Sequence, residues 1–338
     1  MSKNLLKMLG NILADQTRVL ILPHNDPDPD AIATAVGLRY LLMEKFQVES
    51  RIAYRGHIGR AENKALVRYL EKPLHLLQPS DLRSASKIAL VDTQLGAGNN
   101  SLPANRKVDI VIDHHISQNI QQKNSDFVDV RPELGASSTI LTDYLLEAGI
   151  DIPAQLATAL FFGIKTDTMG LSRNASPLDV EAYFYLQSLI DVNALVQIEQ
   201  AQVPLAYFQS IDTAIQAGRV YDDDIVIAYL GILTYPDLSA EIADLFMRLR
   251  GIQWVLCMGV FRDELVLSIR SRKKRFGAGK LISEIIKDKG TTGGHGNMAA
   301  GHIELGKDDD PEQLAVDLEK TILITLKGTH DVETKPMI

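Results

Sequence analysis

The sequence predicts an α/β chain of two domains. The N-terminal domain is built on a parallel sheet with helices on both faces, and it is linked to a smaller α+β domain. Three observations predict this. Short apolar runs alternate with helically periodic stretches through the first half of the chain, as in a parallel sheet whose crossovers are helices. Three of those runs stop abruptly at acidic and imidazole side chains. A second alternation, containing a hairpin, begins after residue 210. The expected boundaries are 1–192 for the first domain, 193–210 for a helical linker, 211–328 for the second domain and 329–338 for a polar tail.

Taken in order, residues 1–16 mix Lys, Asn and Asp with leucines and read as an amphipathic opening helix rather than a signal peptide. Arg18–Leu22 is a short buried strand, Asp30–Phe46 a helix, Val48–Tyr54 a strand and Ala61–Leu70 a helix. Lys87–Val91 and Val108–Ile112 are two further apolar strands. Ser137–Ala148 and Pro153–Lys165 are helices, the second opened by its proline. Asp191–Phe208 is helical and lightly charged. In the second domain Ile225–Leu230 is a strand, Leu238–Arg250 a helix, and Gln253–Phe261 with Leu265–Arg270 a hairpin. Gly279–Lys287 is a helix, Ile303–Leu305 a short strand and Pro311–Leu326 the closing helix, with Asp308–Asp310 at its N-terminal cap. The tail from Gly328 is polar and expected to fray.

Composition narrows the function. Hydrophobic residues make up 46% of the chain and charged residues 23%, the balance of a globular protein. No apolar run approaches the ~20 residues that span a bilayer. The net charge of −8 disfavours binding to long duplex nucleic acid, which needs many cationic contacts. A short anionic substrate held by a local basic patch or by cations remains compatible with it. With the single cysteine Cys257 no internal disulfide can form, Cys257 is expected to be a buried thiol, and the cytoplasm is the default location.

The chemistry is concentrated where the strands end. Leu20–Leu22 runs into Pro23-His24-Asn25-Asp26-Pro27-Asp28-Pro29-Asp30, whose prolines forbid regular helix and hold the carboxylates at a strand-to-helix turn. Asp30 suits a helix N-cap before Ala31. Ile88–Val91 ends at Asp92, and Ile110–Ile112 ends at Asp113-His114-His115. Open parallel sheets bind ligands beyond the carboxyl ends of their strands, so three strands deliver acids and histidines to one rim. Crowded carboxylates are costly unless a cation neutralises them. Carboxylates with one or two imidazoles suit Mn²⁺, Mg²⁺ or Fe²⁺, whereas structural zinc would recruit thiolates. A further acid, Asp167, follows the helix Pro153–Lys165.

The series His24-x-x-x-Asp28-x-Asp30, Asp92, Asp113-His114-His115 and Thr166-Asp167-Thr168 resembles the four ordered motifs of the DHH phosphoesterase superfamily. Gly293-Gly294-His295-Gly296 resembles the Gly-Gly-His signature of the DHH-associated C-terminal domain, so the resemblance runs from about Arg18 to about Leu326 and is nearest the nanoRNase and pAp phosphatase branch. It implies two divalent cations, Mn²⁺ first among them. His24 and Asp28 would bind one cation and Asp30 the other, Asp92 would bridge both, and His114 and Asp167 would complete the second site. His115 would face the substrate phosphate as hydrogen-bond donor or general acid, and Asp113 would support a neighbouring histidine from behind. Two cations ~3.5–4 Å apart can lower the pKa of a shared water toward neutrality for in-line attack on phosphorus.

The second domain is expected to choose the substrate. Arg270 and Arg272 open the basic stretch Arg270–Arg275 and offer planar forks for a non-scissile phosphate. Gly293, Gly294 and His295 are expected to form a glycine loop with unobstructed backbone N–H groups. Thr291 and Thr292 before that loop, Ile116 after His115, and Thr168–Leu171 depart from the common pattern of relatives and bear on substrate preference. The implied function is hydrolysis of short oligoribonucleotides to mononucleotides, of pAp to AMP, or both. The alternatives are a phosphodiesterase for cyclic di-AMP or pApA and an inactive nucleotide-binding regulator. The Gly-Gly-His segment disfavours inorganic pyrophosphatase. Of the remaining histidines, His57 is expected to be structural, His75 and His330 exposed, and His302 a possible substrate contact. The sequence leaves oligomeric state open, a homodimer included.

Overall fold

The chain divides into two compact units, Met1–Gln202 and Val203–Ile338. The computed structural model describes residues 2–13, 18–102, 106–116, 125–273, 277–295 and 297–338, with the backbone alone at Ser2, Lys3, Asp288 and His295. Gly296, Lys274 and Arg275 of the motifs above lie outside the described residues.

The first unit runs α1 (Ser2–Ile12), β1 (Arg18–Pro23), α2 (Pro29–Phe46), β2 (Glu49–Tyr54), α3 (Ala61–Tyr69), β3 (Leu74–Leu76), α4 (Pro79–Ser84), β4 (Lys87–Val91), β5 (Ile110–Asp113) and β6 (Phe127–Val130). It continues with α5 (Ser137–Glu147), α6 (Ala154–Asp167), α7 (Pro177–Gln187) and α8 (Val192–Glu199). Its six strands are all parallel, in the order β3-β2-β1-β4-β5-β6. The period-2 alternation of strands divides β1 between two cores. Val19 and Ile21 join Ile32, Leu38, Leu141 and Leu160 of the helices on one face. Leu20 and Leu22 join Ile88, Leu90 and Val111 on the other, where Leu82 of α4 packs. Helical cover is therefore heavy on one face and light on the other. The sheet order reverses between β1 and β4, and in such sheets a crevice opens beyond the carboxyl ends of the strands at that point.

The second unit runs α9 (Leu205–Ala217), β7 (Arg219–Tyr221), β8 (Ile225–Ile232), α10 (Leu238–Phe246), β9 (Trp254–Phe261) and β10 (Glu264–Ser271). Then come α11 (Ala278–Ile286), β11 (Thr291–His295), β12 (Met298–Glu304), α12 (Pro311–Lys327) and β13 (Thr334–Pro336). Its seven strands lie in the order β11-β12-β10-β9-β8-β7-β13, with β8 and β9 parallel and the other pairs antiparallel. Leu281, Ile282, Leu318 and Ile322 of α11 and α12 cover Leu256 and Leu267 on one face. Ala214, Ile242 and Phe246 of α9 and α10 cover Val255 and Cys257 on the other. The Cys257 thiol is fully buried. Among the described residues no helix is long and apolar enough to cross a membrane.

Several local expectations need correction. The N-cap of α2 is Asp28, whose Oδ1 accepts from Ala31 N–H at 3.0 Å, with Pro29 at the first helical position. Asp30 already lies inside the helix, and its carboxylate is used elsewhere. The segment expected as a helical linker breaks between α8 and α9, and α9 packs Ala214, Tyr207 and Ile211 into the second unit. The tail beyond Gly328 is not frayed. Thr334–Pro336 pairs with β7, and Met337 N–H donates to Gly218 C=O at 3.1 Å. The Gly-Gly-His segment is an edge strand, not a loop, paired along one side to β12. Gly294 there has φ +126, and an added Cβ would lie 2.5 Å from Ala299 Cα, so only glycine fits.

Candidate metal centre

His24 follows the last residue of β1, Asp92 that of β4, and Asp113 closes β5 with His114 and His115 beyond it. Asp28 and Asp30 stand at the start of α2, and Asp167 is the last residue of α6. These elements bring two groups of possible ligands together, His24 with Asp28 and Asp92, and Asp30 with His114 and Asp167. Within each, the ligand atoms lie within 4.8 Å of one another. Asp92, His114 and His115 form a third, overlapping group.

Asp92 stands between the first two groups. Its Oδ2 is 3.5 Å from His24 Nε2 and its Oδ1 is 3.5 Å from His114 Nε2. The turn that aims it is strained, because Asp92 has φ +55, in the left-handed region that favours glycine and that Asp tolerates better than most residues. Its N–H still bonds Ile112 C=O at 2.9 Å, so the carboxylate swings onto the rim while the backbone stays tied to β5.

Each imidazole is held from behind. His24 Nδ1 lies 2.7 Å from Asn25 C=O and His114 Nδ1 3.2 Å from Leu134 C=O. As donors to those carbonyls, both rings keep Nε2 as the nitrogen that can ligate. His24 Nε2 then lies 3.7 Å from Asp28 Oδ1, and His114 Nε2 lies 3.3 Å from Asp167 Oδ2. His114 Nε2 is buried without a hydrogen-bond partner. A buried, unsatisfied imidazole nitrogen beside three carboxylates is costly unless a cation takes its lone pair. On that test the donor set fits a hard or borderline divalent cation.

His115 is arranged differently. Its Nδ1 lies 2.8 Å from Asp113 Oδ1, which also accepts from His114 N–H at 2.8 Å and His115 N–H at 3.1 Å. Asp113 thus fixes the backbone and the second ring rather than entering either ligand group. Gln94, which sequence reasoning missed, donates from Nε2 to His115 C=O at 2.8 Å.

The electrostatics are those of carboxylates forced together. Burial, then the charges of Asp92 and Asp167, push Asp30 well above the usual carboxylate range. Burial also pushes Asp92 up to about 6. For His24, burial opposes charging, but the hydrogen bond and charge of Asp28 and the charge of Asp92 win and raise it to about 10. His114 and His115 are raised for the same reason, burial being outweighed by the neighbouring carboxylates of Asp167 and Asp92 for His114 and by the bond to Asp113 for His115. Asp28 is lowered, because His24 outweighs its burial.

Sequence reasoning also missed Ser137 and Ser138 at the start of α5. Ser137 N–H donates to Asp30 Oδ2 at 2.7 Å and Ser138 N–H to Asp30 Oδ1 at 2.9 Å, while Ser137 Oγ donates to Asp92 Oδ1 at 2.9 Å. Gly163 admits this contact, since an added Cβ would lie 2.5 Å from Ser138 Oγ and 3.0 Å from Asp30 Oδ1. The run of small residues Gly135-Ala136-Ser137-Ser138 was the available signal.

In the second unit Arg270 is buried and its fork is engaged. Nε donates to Asp244 Oδ1 at 2.5 Å and a terminal nitrogen to Asp244 Oδ2 at 3.3 Å. Arg272 is exposed and donates to Met247 C=O at 2.6 Å. Gly293 and Gly294 are exposed on the edge strand β11, and the side chain of His295 lies outside the described residues. His302 is 2.9 Å from Glu264, and the exposed His75 is 3.0 Å from Asp81.

Residues 18–164 match the model of the DHH family, N-terminal domain. The chain is 38% identical over 289 residues to the uncharacterised protein MJ1633 of Methanocaldococcus jannaschii, an alignment covering 85% of this chain and 58% of that one. It is 25% identical over 155 residues to a probable manganese-dependent inorganic pyrophosphatase of Streptococcus pyogenes, covering 45% of this chain and 49% of the relative. The chain thus spans about half the length of the curated relatives it matches. In fold it resembles the crystal structure of an exopolyphosphatase-related protein from Bacteroides fragilis. The TM-score is 0.75 at 16% identity, and the likeness covers 97% of this chain and 96% of that one.

Proposed function

From the match of residues 18–164 to the model of the DHH family, N-terminal domain, we propose that the chain is a divalent-cation-dependent phosphoesterase. Its proposed reactions are hydrolysis of short oligoribonucleotides to mononucleotides, of pAp to AMP, or both. The observation that carries the proposal is Asp92, which offers one carboxylate oxygen to each of two ligand groups at the switch point of a parallel sheet. His24 and Asp28 would hold one cation, Asp30, His114 and Asp167 the other, with Asp92 shared. Manganese is the first candidate, since one relative is described as manganese-dependent.

Two cations so held supply a water of lowered pKa and offset charge on the phosphoryl oxygens. The chain's own residues do the rest. His115 sets its Nδ1 against Asp113, whose bond outweighs burial and raises the imidazole pKa, favouring a ring whose Nε2 can donate to the leaving oxygen. Asp113 holds that ring in register. The second unit is proposed to select the substrate through Arg272, the edge backbone at Gly293 and Gly294, His295, and Arg270 once its fork turns from Asp244.

Turnover of pAp, di- to hexanucleotides, a 24-mer, cyclic di-AMP, pApA and pyrophosphate in the presence of Mn²⁺ tests the proposal. Cleavage of pAp and of di- to hexanucleotides, with the 24-mer much slower, is expected. Cleavage of cyclic di-AMP or pApA above the others would move the assignment to a signalling-nucleotide phosphodiesterase. Cleavage of pyrophosphate alone, or of nothing, would overturn it.

A further inference from the structure

The start of α5 touches a carboxylate from each ligand group. Ser137 is wholly buried and donates twice, from its N–H to Asp30 and from its hydroxyl to Asp92. The N-cap of α5 is Ala136, which has no side-chain cap to offer. The otherwise unpaired N–H groups of the first two helical positions go instead to Asp30, a carboxylate from another helix. The hydroxyl of Ser137 adds nothing to this capping, which the backbone performs alone. A buried hydroxyl costs free energy unless it is bonded, and its bond here is to Asp92.

That bond bears on how Asp92 is divided. The terminal torsion of an aspartate is soft and two-fold, so nothing in Asp92 keeps one oxygen toward His24 and the other toward His114. A donor fixed on Oδ1 alone breaks the symmetry. We propose that Ser137 is a positioning residue that sets the division of Asp92 between two cations and couples it to Asp30, so that the two sites fill as a pair. The proposal rests on the two-cation reading above. Ser137 is in turn held by Asp179, fully buried, which accepts from Gly135 N–H at 2.8 Å and from the Thr139 hydroxyl at 2.5 Å, on either side of it.

The test is Mn²⁺ binding to the metal-stripped full chain, followed by calorimetry and by electron paramagnetic resonance. Two Mn²⁺ per wild-type chain, with an exchange-coupled signal, are expected. Ser137→Ala keeps the N–H bond to Asp30 and removes the hydroxyl. Its second Mn²⁺ should bind roughly 10–100-fold more weakly, and the coupled signal should give way to that of isolated ions. Wild-type affinities and an unchanged coupled signal in Ser137→Ala would overturn the role of Ser137. A wild-type chain that binds fewer than two ions would instead overturn the reading beneath it. If the alanine protein does not fold, Ser137→Cys, with a weak donor in the same place, decides in the same way. Weakened second-site affinity supports the role, and wild-type affinity overturns it.

Discussion

Asp92 combines a left-handed backbone, full burial and a carboxylate shared between imidazoles. Asn tolerates that backbone as well as Asp does, so Asp92→Asn removes charge without adding strain. Turnover and Mn²⁺ affinity should fall more than about 100-fold, measured by steady-state rates and calorimetry. The same variant should raise the melting temperature of chelator-treated protein at pH 8, because burial penalises the Asp92 charge when no cation offsets it. A lowered melting temperature would contradict this account. Arg270 has a paired test. Arg270→Ala should raise KM more than it lowers kcat if the guanidinium binds a distant phosphate. Asp244→Ala, which releases the fork, should leave KM unchanged or lower it. A rise in KM for both variants would assign the pair to structure. The proposed ligands at the strand ends are marked in the sequence because each follows an apolar run or stands in a proline-bounded turn, whereas Asp167 is marked only by following a helical stretch. The N-cap of α2 was misassigned because Asp28 and Asp30 both suit a cap, and the preference of Pro29 for the first helical position decides for Asp28.

At the scale of elements, α5 and α7 join at Asp179, which accepts from Gly135 N–H, Ser176 N–H and the Thr139 hydroxyl. Asp179→Ala would leave those buried donors unpaired and should cost at least about 3 kcal/mol in urea unfolding. On the two-cation reading it should also weaken Mn²⁺ binding, since the turn it braces presents Ser137 and the Leu134 carbonyl to the proposed ligands Asp92 and His114. A stability loss with unchanged metal affinity would separate the brace from the site. None of this was legible in the sequence, where Asp179 falls in a stretch given no element and Ser137 is a helix start. Their roles arise only when α5 meets α2 and α7. The missed strands have local causes. β6 carries Asp129 in its middle, neutralised by the buried Arg131, and β3 is three residues long at a sheet edge. The central strands and the β9–β10 hairpin were legible because their apolar runs have no such interruption.

For the whole molecule, the clustered charges set the pH dependence of the metal-free state. Asp92 has its pKa raised from 3.8 to about 6, so its contribution is present below 3.8 and is lost between 3.8 and 6. His24 has its pKa raised from 6.5 to about 10, so its contribution is full below 6.5 and is lost between 6.5 and 10. Both changes have the same sign, Asp92 acting below pH 6 and His24 above pH 6.5, so chelator-treated protein should melt at lower temperature as pH rises, the fall between pH 6.5 and 9 coming from His24. Saturating Mn²⁺ should flatten or reverse that slope, because the cation takes the place of the protons. Scanning calorimetry in matched buffers would show it, and a metal-free melting temperature that rises with pH would contradict it. The parallel sheet has a further, kinetic consequence. The residues proposed to hold the cations are spread from His24 to Asp167, and Asp92 and His114 reach the rim only once β1, β4 and β5 have aligned. Early, partly collapsed chains therefore have no pocket to offer an ion. In refolding experiments manganese should leave the forward rate nearly untouched and act almost wholly by slowing escape from the finished state.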